Sequence, residues 1–195
     1  MNYYNIKNNI RKKIVIGTVG AIRELKQIHK IPEIISDILS DQNNLLFEWH
    51  IYGKVASDSE EYFKNFVQKL KEHDLEKYCL LKGYCDQKEI FSKINILVHL
   101  GKDEAFGRVF IEAMACGIPV IAIDSGGAKE VVKNNKTGFI IKENEHKSFS
   151  RKILKLINSK TLITEMGLKG RKDISKRFNS VEHVKSITSI YNTIL

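Results

Sequence analysis

Short, nearly continuous apolar runs alternate with longer amphipathic ones from Ile14 to about residue 160. The β-branched run Ile14 to Val19 stops at Gly20 and predicts a strand. Ile28, Ile31, Ile34, Ile35, Ile38 and Leu39 then recur at helical spacing, with Pro32 early enough to sit in a first turn. Leu45 to Tyr52 reads as a second strand, ended by Gly53. Asp58 to His73 reads as an amphipathic helix with Tyr62, Phe63, Phe66, Val67 and Leu70 inward, and Ser57 or Asp58 as its N-cap. A short strand, Tyr78 to Lys82, runs into Gly83-Tyr84, and Asp86 caps a brief helix through Phe91. Ile94 to Leu100, Val120 to Ile123 and Gly138 to Ile141 supply three more strands. From about Lys147 the pattern is helical only. Phe149, Ile153, Leu154 and Ile157 mark one helix, Leu162 to Phe178 a second, and Ser180 is the expected N-cap of a last one ending near Leu195.

Strands that are apolar along their whole length, rather than at alternate positions, belong to a parallel sheet covered on both faces. Six of them interleaved with helices predict a Rossmann-like, doubly wound α/β domain followed by C-terminal helices. Ligands of such sheets bind at the carboxyl ends of the strands. No repeat, low-complexity segment or flexible linker interrupts the pattern, so one domain is expected over 11–195.

Composition narrows the class. Hydrophobic residues at 43% with 28% charged residues suit a soluble globular core. No apolar run approaches the ~20 residues that a membrane span needs. The opening MNYYNIKNNIRKK has no apolar core or small-residue cleavage site and is not read as a signal peptide. Cys79, Cys85 and Cys116 are odd in number and lack metal-ligand spacing, so reduced thiols in a cytoplasmic protein are expected. The net charge of +9 is read as a solvated lysine-rich surface, with attraction to an anionic membrane as the other reading. The Arg11-Lys12-Lys13 cluster is too short to indicate nucleic acid. The six histidines show no metal-ligand spacing and there is no D-x-D run, so no metal is expected.

The chemistry concentrates in EAFGRVFIEAMACGIPVIAIDSGGAKE, from Glu104 to Glu130. Glu104 and Glu112 flank seven residues that include the loop Phe106-Gly107. Physically this is strand end, loop, helix, turn, strand, loop, helix. One acid lies on the loop and the other two turns along the helix that the loop opens. Carboxylates accept hydrogen bonds from hydroxyls, main-chain N–H groups at a helix start bind phosphate, and Gly107 lets a ligand approach the backbone. A polyhydroxylated, anionic ligand fits this arrangement.

The stretch resembles the Glu-x7-Glu signature of retaining glycosyltransferases with the GT-B fold, the family 4 or group 1 type, and departs from the usual pattern only at Ala105. The resemblance covers roughly residues 11 to 190 and only the second of the two Rossmann-like domains of such enzymes. It implies a donor-binding domain for a UDP- or GDP-linked sugar. The N-terminal acceptor domain would be missing, and residues 1–10 would be a linker remnant or chain start. The activity implied is metal-independent hexosyl transfer to a saccharide or lipid-linked acceptor, in bacterial surface polysaccharide synthesis. Its place would be the cytoplasm or the inner face of the cell membrane, and the isolated domain would be inactive.

Residue by residue, Glu112 would accept the ribose hydroxyls, and its position among Ile111, Ala113, Met114 and Ala115 argues against a merely solvated acid. Glu104 would position the sugar and stabilise charge without a covalent role. Phe106, Gly107, Arg108 and Val109 would offer main-chain N–H groups to sugar and diphosphate, while the Arg108 side chain is also read as a surface group. In the first loop, VGAIRELKQ, Lys26 matches the family's diphosphate-binding lysine. The matching arginine position, next to Gly20, holds Ala21. Arg23 is read either as its replacement on the phosphates or as a solvated loop charge. Gly53 and Gly83 end strands whose loops would hold the base, and Tyr84 is read either as a base-stacking or as a packed ring. Glu130 completes a G-G-x-x-E turn with a structural role, and His99 is read as a strand-end residue.

Two rivals remain. A dinucleotide-dependent oxidoreductase needs a G-x-G-x-x-G turn that GTVGAIR does not supply. A degenerate, non-catalytic nucleotide-binding or scaffold domain is favoured by Ala21 and opposed by Glu104, Glu112 and Lys26.

Overall fold

The structure, a computed structural model, describes residues 13–42, 45–102, 105–143 and 145–178. In chain order the elements are β1 (Ile14–Val19), α1 (Ile31–Asp41), β2 (Phe47–Tyr52), α2 (Glu60–Glu72), β3 (Cys79–Gly83), α3 (Gln87–Lys93) and β4 (Ile96–His99). They continue with α4 (Arg108–Ala115), β5 (Val120–Ile123), α5 (Ala128–Val131), β6 (Gly138–Ile141), α6 (His146–Ile157) and α7 (Lys160–Arg177). The six strands form one parallel sheet in the order β3-β2-β1-β4-β5-β6. This is the doubly wound arrangement expected from the apolar runs. The strand order reverses between β1 and β4, which opens a crevice beyond their carboxyl ends.

Strand parity divides the core. Ile14 and Ile16 of β1, Phe47, Trp49 and Ile51 of β2, and Ile121 and Ile123 of β5 join a cluster with α1, α2 and α6. Val15, Tyr52, Leu97, Val120 and Ala122 point the other way, into a cluster with α3, α4 and α5. Both faces are buried, so both parities must be apolar. Helix α7 spans the two: Ile163 and Met166 belong to the first cluster and Ile174 to the second. It ends with Arg177, whose guanidinium donates to the carbonyls of Glu130 at 2.6 Å and Val131 at 2.7 Å. The contact uses the main chain of Glu130 and not its carboxylate.

The indole buried in the first cluster has a partner. The indole N–H of Trp49 donates to the Thr18 hydroxyl at 2.9 Å, and that hydroxyl donates to the Val98 carbonyl at 3.0 Å. A wholly buried indole without such an acceptor would be costly.

Several boundaries move. Helix α1 starts at Ile31 because Gln27 adopts a left-handed conformation (φ 51°) and residues 28–30 form a 3-10 turn, which leaves Pro32 in the first α turn. Helix α2 starts at Glu60, after both expected caps. Ser59 occupies the cap position, but its hydroxyl donates to Asp58 instead of accepting from the helix. Asp86 caps α3 as expected, accepting from Lys88 N–H at 2.8 Å. The expected linker at 1–10 and the last helix from Ser180 lie outside the described residues.

Candidate functional site

The loops after β1 and β4 meet at the reversal of strand order. After Gly20 the chain folds back on the β2 loop: Ile22 N–H donates to the Lys54 carbonyl at 2.8 Å and Ala56 N–H to the Ile22 carbonyl at 3.1 Å. Ile22 is buried by this pairing, while Ala21 and Arg23 on either side are exposed. A 3-10 turn, Glu24–Lys26, then brings Lys26 back to the crevice. Its aliphatic stem lies between the strand ends: a Cβ placed on Gly20 would stand 3.6 Å from Lys26 Cε, and one on Gly101 3.1 Å from Lys26 Cδ. Gly20, Ala21, Ile22, Lys26, Ile51 and His99 line one small depression there.

Gly53 is required by close packing. Its φ is +152°, and a Cβ would fall 1.9 Å from the Gly20 carbonyl oxygen. The loops after β1 and β2 therefore touch backbone to backbone. Gly83 also has a positive φ, but open space surrounds it, and its carbonyl accepts from Gly53 N–H at 2.8 Å. Tyr84 is 75% exposed, which rules out a packed ring; Lys54 Nζ lies 5.3 Å from its centroid.

On the other side of the crevice Gly107 opens α4 in a left-handed conformation (φ 69°). A Cβ at Gly107 would stand 2.3 Å from the Phe110 ring. Phe110 in turn meets His99 edge-on, with ring centroids 5.0 Å apart, so the end of β4 and the start of α4 are packed together. His99 ends β4, as expected, and is buried. Phe106 is half exposed and leans edge-on against Phe178. Val109 is partly buried, and the Arg108 side chain is exposed. Glu104 lies outside the described residues.

Glu112 sits on the second turn of α4 with 26% of its side chain exposed. Gln87, the first residue of α3, donates its side-chain N–H to Glu112 Oε1 at 3.1 Å. Arg108 Nε lies 4.0 Å from the same oxygen. No other hydrogen bond to this carboxylate occurs among the described residues. A partly exposed acid with one oxygen already engaged leaves the other to accept from a hydroxyl.

Beside the site, a polar chain runs along β2. Lys13 pairs with Glu48 at 2.6 Å, Glu48 with His50 Nε2 at 2.8 Å, and His50 Nδ1 with the Tyr52 hydroxyl at 3.0 Å. The Lys13 hydrogen bond is the main cause holding the Glu48 carboxyl below its usual range. Burial lowers the pKa of His50 and pushes the Tyr52 phenol up to about 12. All three cysteines are free thiols, and burial pushes Cys116, the residue after α4, up to about 11. No group of three or more potential metal ligands occurs among the described residues. No helix among them is long and apolar enough to cross a membrane.

Residues 4–173 match the model of the glycosyl transferases group 1 family. The chain belongs to this family. A curated relative, the capsular polysaccharide biosynthesis glycosyltransferase CapM of Staphylococcus aureus, is 30% identical over 193 residues. That alignment takes in 99% of the chain but 49% of the relative, so the chain spans about half its length. Among solved structures, Anabaena Alr3699/HepE in complex with UDP superposes with a TM-score of 0.85 at 23% identity, over 93% of this chain and 49% of that one. The C-terminal domain of the Francisella tularensis group 1 family protein LpcC superposes with a TM-score of 0.77 at 23% identity, over 86% of this chain and 87% of that one. At these identities the superpositions establish the fold, that of GT-B glycosyltransferases.

Of the expected site residues in this group 1 domain, Gly20 and Lys26 line the depression, while Gly107 opens and Glu112 sits on α4, which packs against His99 through Phe110. Sequence reasoning missed Gln87, which no motif marks. His99, read as a strand-end residue near the site, also lines the depression.

Proposed function

We propose that the chain is the donor-binding half of a retaining glycosyltransferase that takes a sugar from a nucleoside diphosphate. The observation that carries the reading is the pairing of features across one crevice. Lys26 and the Gly20 loop share a depression with His99, and His99 packs on Phe110 of α4, the helix that carries the partly exposed Glu112. A ligand spanning them needs an anionic group for the ammonium and neighbouring hydroxyls for the carboxylate, as a nucleoside diphosphate sugar has.

In this reading the Glu112 carboxylate accepts the ribose hydroxyls. Main-chain N–H groups from Phe106 to Val109, at the Gly107 turn, meet the sugar and diphosphate. Lys26, with Arg23 from the same turn, faces the diphosphate. Negative charge builds there as the sugar–phosphate bond breaks, so cations fixed beside it stabilise the transition state more than the ground state. Glu104 positions the sugar hydroxyls. The acceptor attacks from the face that the diphosphate leaves, which retains the anomeric configuration. No metal is needed if these cations carry the leaving charge.

The acceptor, a saccharide or a lipid-linked one, is held by an N-terminal domain of the same enzyme. The chain alone accordingly binds donor weakly and turns over negligibly. Surface polysaccharide assembly at the cytoplasmic face of a membrane is the setting this chemistry suits. Ala21 favours a second reading, a degenerate, non-catalytic nucleotide-binding or scaffold domain.

Calorimetric titration of the 195-residue chain with UDP, GDP, ADP and NAD separates the two. Binding of UDP or GDP, but not NAD, is expected. Absence of binding by every nucleotide at millimolar concentration overturns the proposal in favour of the degenerate module, and binding of NAD alone would restore a dinucleotide enzyme.

A further inference from the structure

We infer that Gln87 is a positioning residue that holds the Glu112 carboxylate toward the ligand and sets how strictly the site demands a ribose; this rests on the donor-site reading above. The inference starts from a side-chain hydrogen bond that joins α3 to α4, Gln87 Nε2 to Glu112 Oε1 at 3.1 Å. Both helices are seated on the same face of the sheet, α3 through Ile90 and Phe91 and α4 through Phe110, Ala113 and Met114. Asp86 fixes where α3 begins by capping Lys88 N–H. Gln87 therefore stands at a set height beside the second turn of α4.

A glutamate on an exposed helix face samples several rotamers, and binding must select one of them. Here two groups restrain the same oxygen: the Gln87 amide, and the Arg108 guanidinium with Nε at 4.0 Å. The amide is neutral and short-reaching, so it orients the carboxylate without cancelling its charge. The guanidinium is on an 80% exposed side chain and is screened by water. Gln87 is exposed as well, but its amide is at hydrogen-bond distance and the guanidinium at 4.0 Å is not, so orientation falls to Gln87. With Oε1 engaged, Oε2 is the acceptor presented to a ligand hydroxyl. The Gln87 side-chain carbonyl, carried on the same amide, is a second acceptor beside it. Two acceptors at fixed spacing match two vicinal hydroxyls and discriminate against a sugar with one of them removed.

The test compares UDP and GDP with their 2′-deoxy and 3′-deoxy forms by calorimetry, on the parent chain and on Gln87→Ala, Gln87→Asn and Gln87→Glu. Gln87→Ala is expected to weaken binding of the ribose nucleotide about three- to ten-fold. It should weaken the deoxy forms less, so that the discrimination ratio falls while the melting temperature stays within a few degrees. In Gln87→Glu a second carboxylate faces Glu112, and the lost affinity should return as pH is lowered and one of the two acids is protonated. An unchanged ratio in Gln87→Ala, with parent-like ribose affinity, overturns the inference while leaving the donor-site reading intact. Equal weakening of ribose and deoxy forms also overturns it, since a merely structural contact would act on both alike. If the parent chain binds no nucleotide, the donor-site reading itself fails, and this inference with it.

Discussion

The backbone N–H of Lys102 donates to the carbonyl of Leu25 at 3.0 Å, so the loop after β4 is tied to the loop after β1 across the reversal of strand order. The Lys102 side chain also pairs with Glu143, beyond β6. Leu25 directly precedes Lys26, and Lys102 lies two residues before Glu104. The turn that carries Lys26 and the first residues after β4 are therefore tied together by main chain.

Lys26 is expected to act through the diphosphate. Lys26→Ala should weaken UDP or GDP binding about ten-fold or more, because a charge-assisted contact is lost. Binding of the bare nucleoside should stay as it was. Calorimetry with uridine and UDP, or guanosine and GDP, measures the difference. Equal loss for nucleoside and diphosphate would place Lys26 elsewhere.

Glu112→Ala should weaken nucleotide binding by about 1–3 kcal/mol, the size of hydrogen bonds to a charged acceptor. Titration of the folded variant with the nucleoside diphosphate checks this. Unchanged affinity would refute the ribose assignment.

Two glycines at neighbouring strand ends should differ sharply. Gly53→Ala drives a Cβ to 1.9 Å from the Gly20 carbonyl oxygen, and the loops must separate. A loss above about 3 kcal/mol is expected, together with loss of the Lys26 depression. Gly83→Ala meets no atom within 4 Å and carries only the strain of its φ of +65°, so about 1–2 kcal/mol is expected. Urea unfolding of the two variants gives the comparison.

Stability should fall on acidification before the carboxylates titrate. Burial lowers the pKa of both His29 and His50 below the ordinary 6.5. Between that value and the lowered ones, the unfolded chain binds protons that the native chain does not. The contribution is complete above the ordinary value and is lost as pH drops through the interval beneath it. Urea titrations between about pH 7 and about pH 5 should show the decline. His50→Gln, which keeps a hydrogen-bonding side chain next to Glu48, should show a shallower one. A parallel decline in both proteins would remove His50 from the account.

Much of the fold was legible because buried parallel strands must be apolar at both parities. Ile14–Val19 and Val120–Ile123 therefore stand out unaided, and both appear with the expected bounds. Less legible were places where a local competitor intervened: Asp58 captures the Ser59 hydroxyl, and Gln27 breaks the helical run before Ile31. Of the site, Gly107 and Glu112 could be found because loop glycine and helix acid are close in sequence. Gln87 could not, since its partner lies 25 residues away and neither residue type is unusual where it stands.

The sequence by itself determined six strands, a parallel sheet and an acid-bearing helix behind a glycine loop. Each of these follows from burial on two faces or from the spacing of neighbours along the chain. The tertiary structure alone decided that Lys102 reaches Leu25, that Gln87 bonds to Glu112, and that Tyr84 stays in solvent. Those outcomes depend on which strand ends lie side by side. Strand order is set by the packing of whole helices on the sheet, and no local pattern records it.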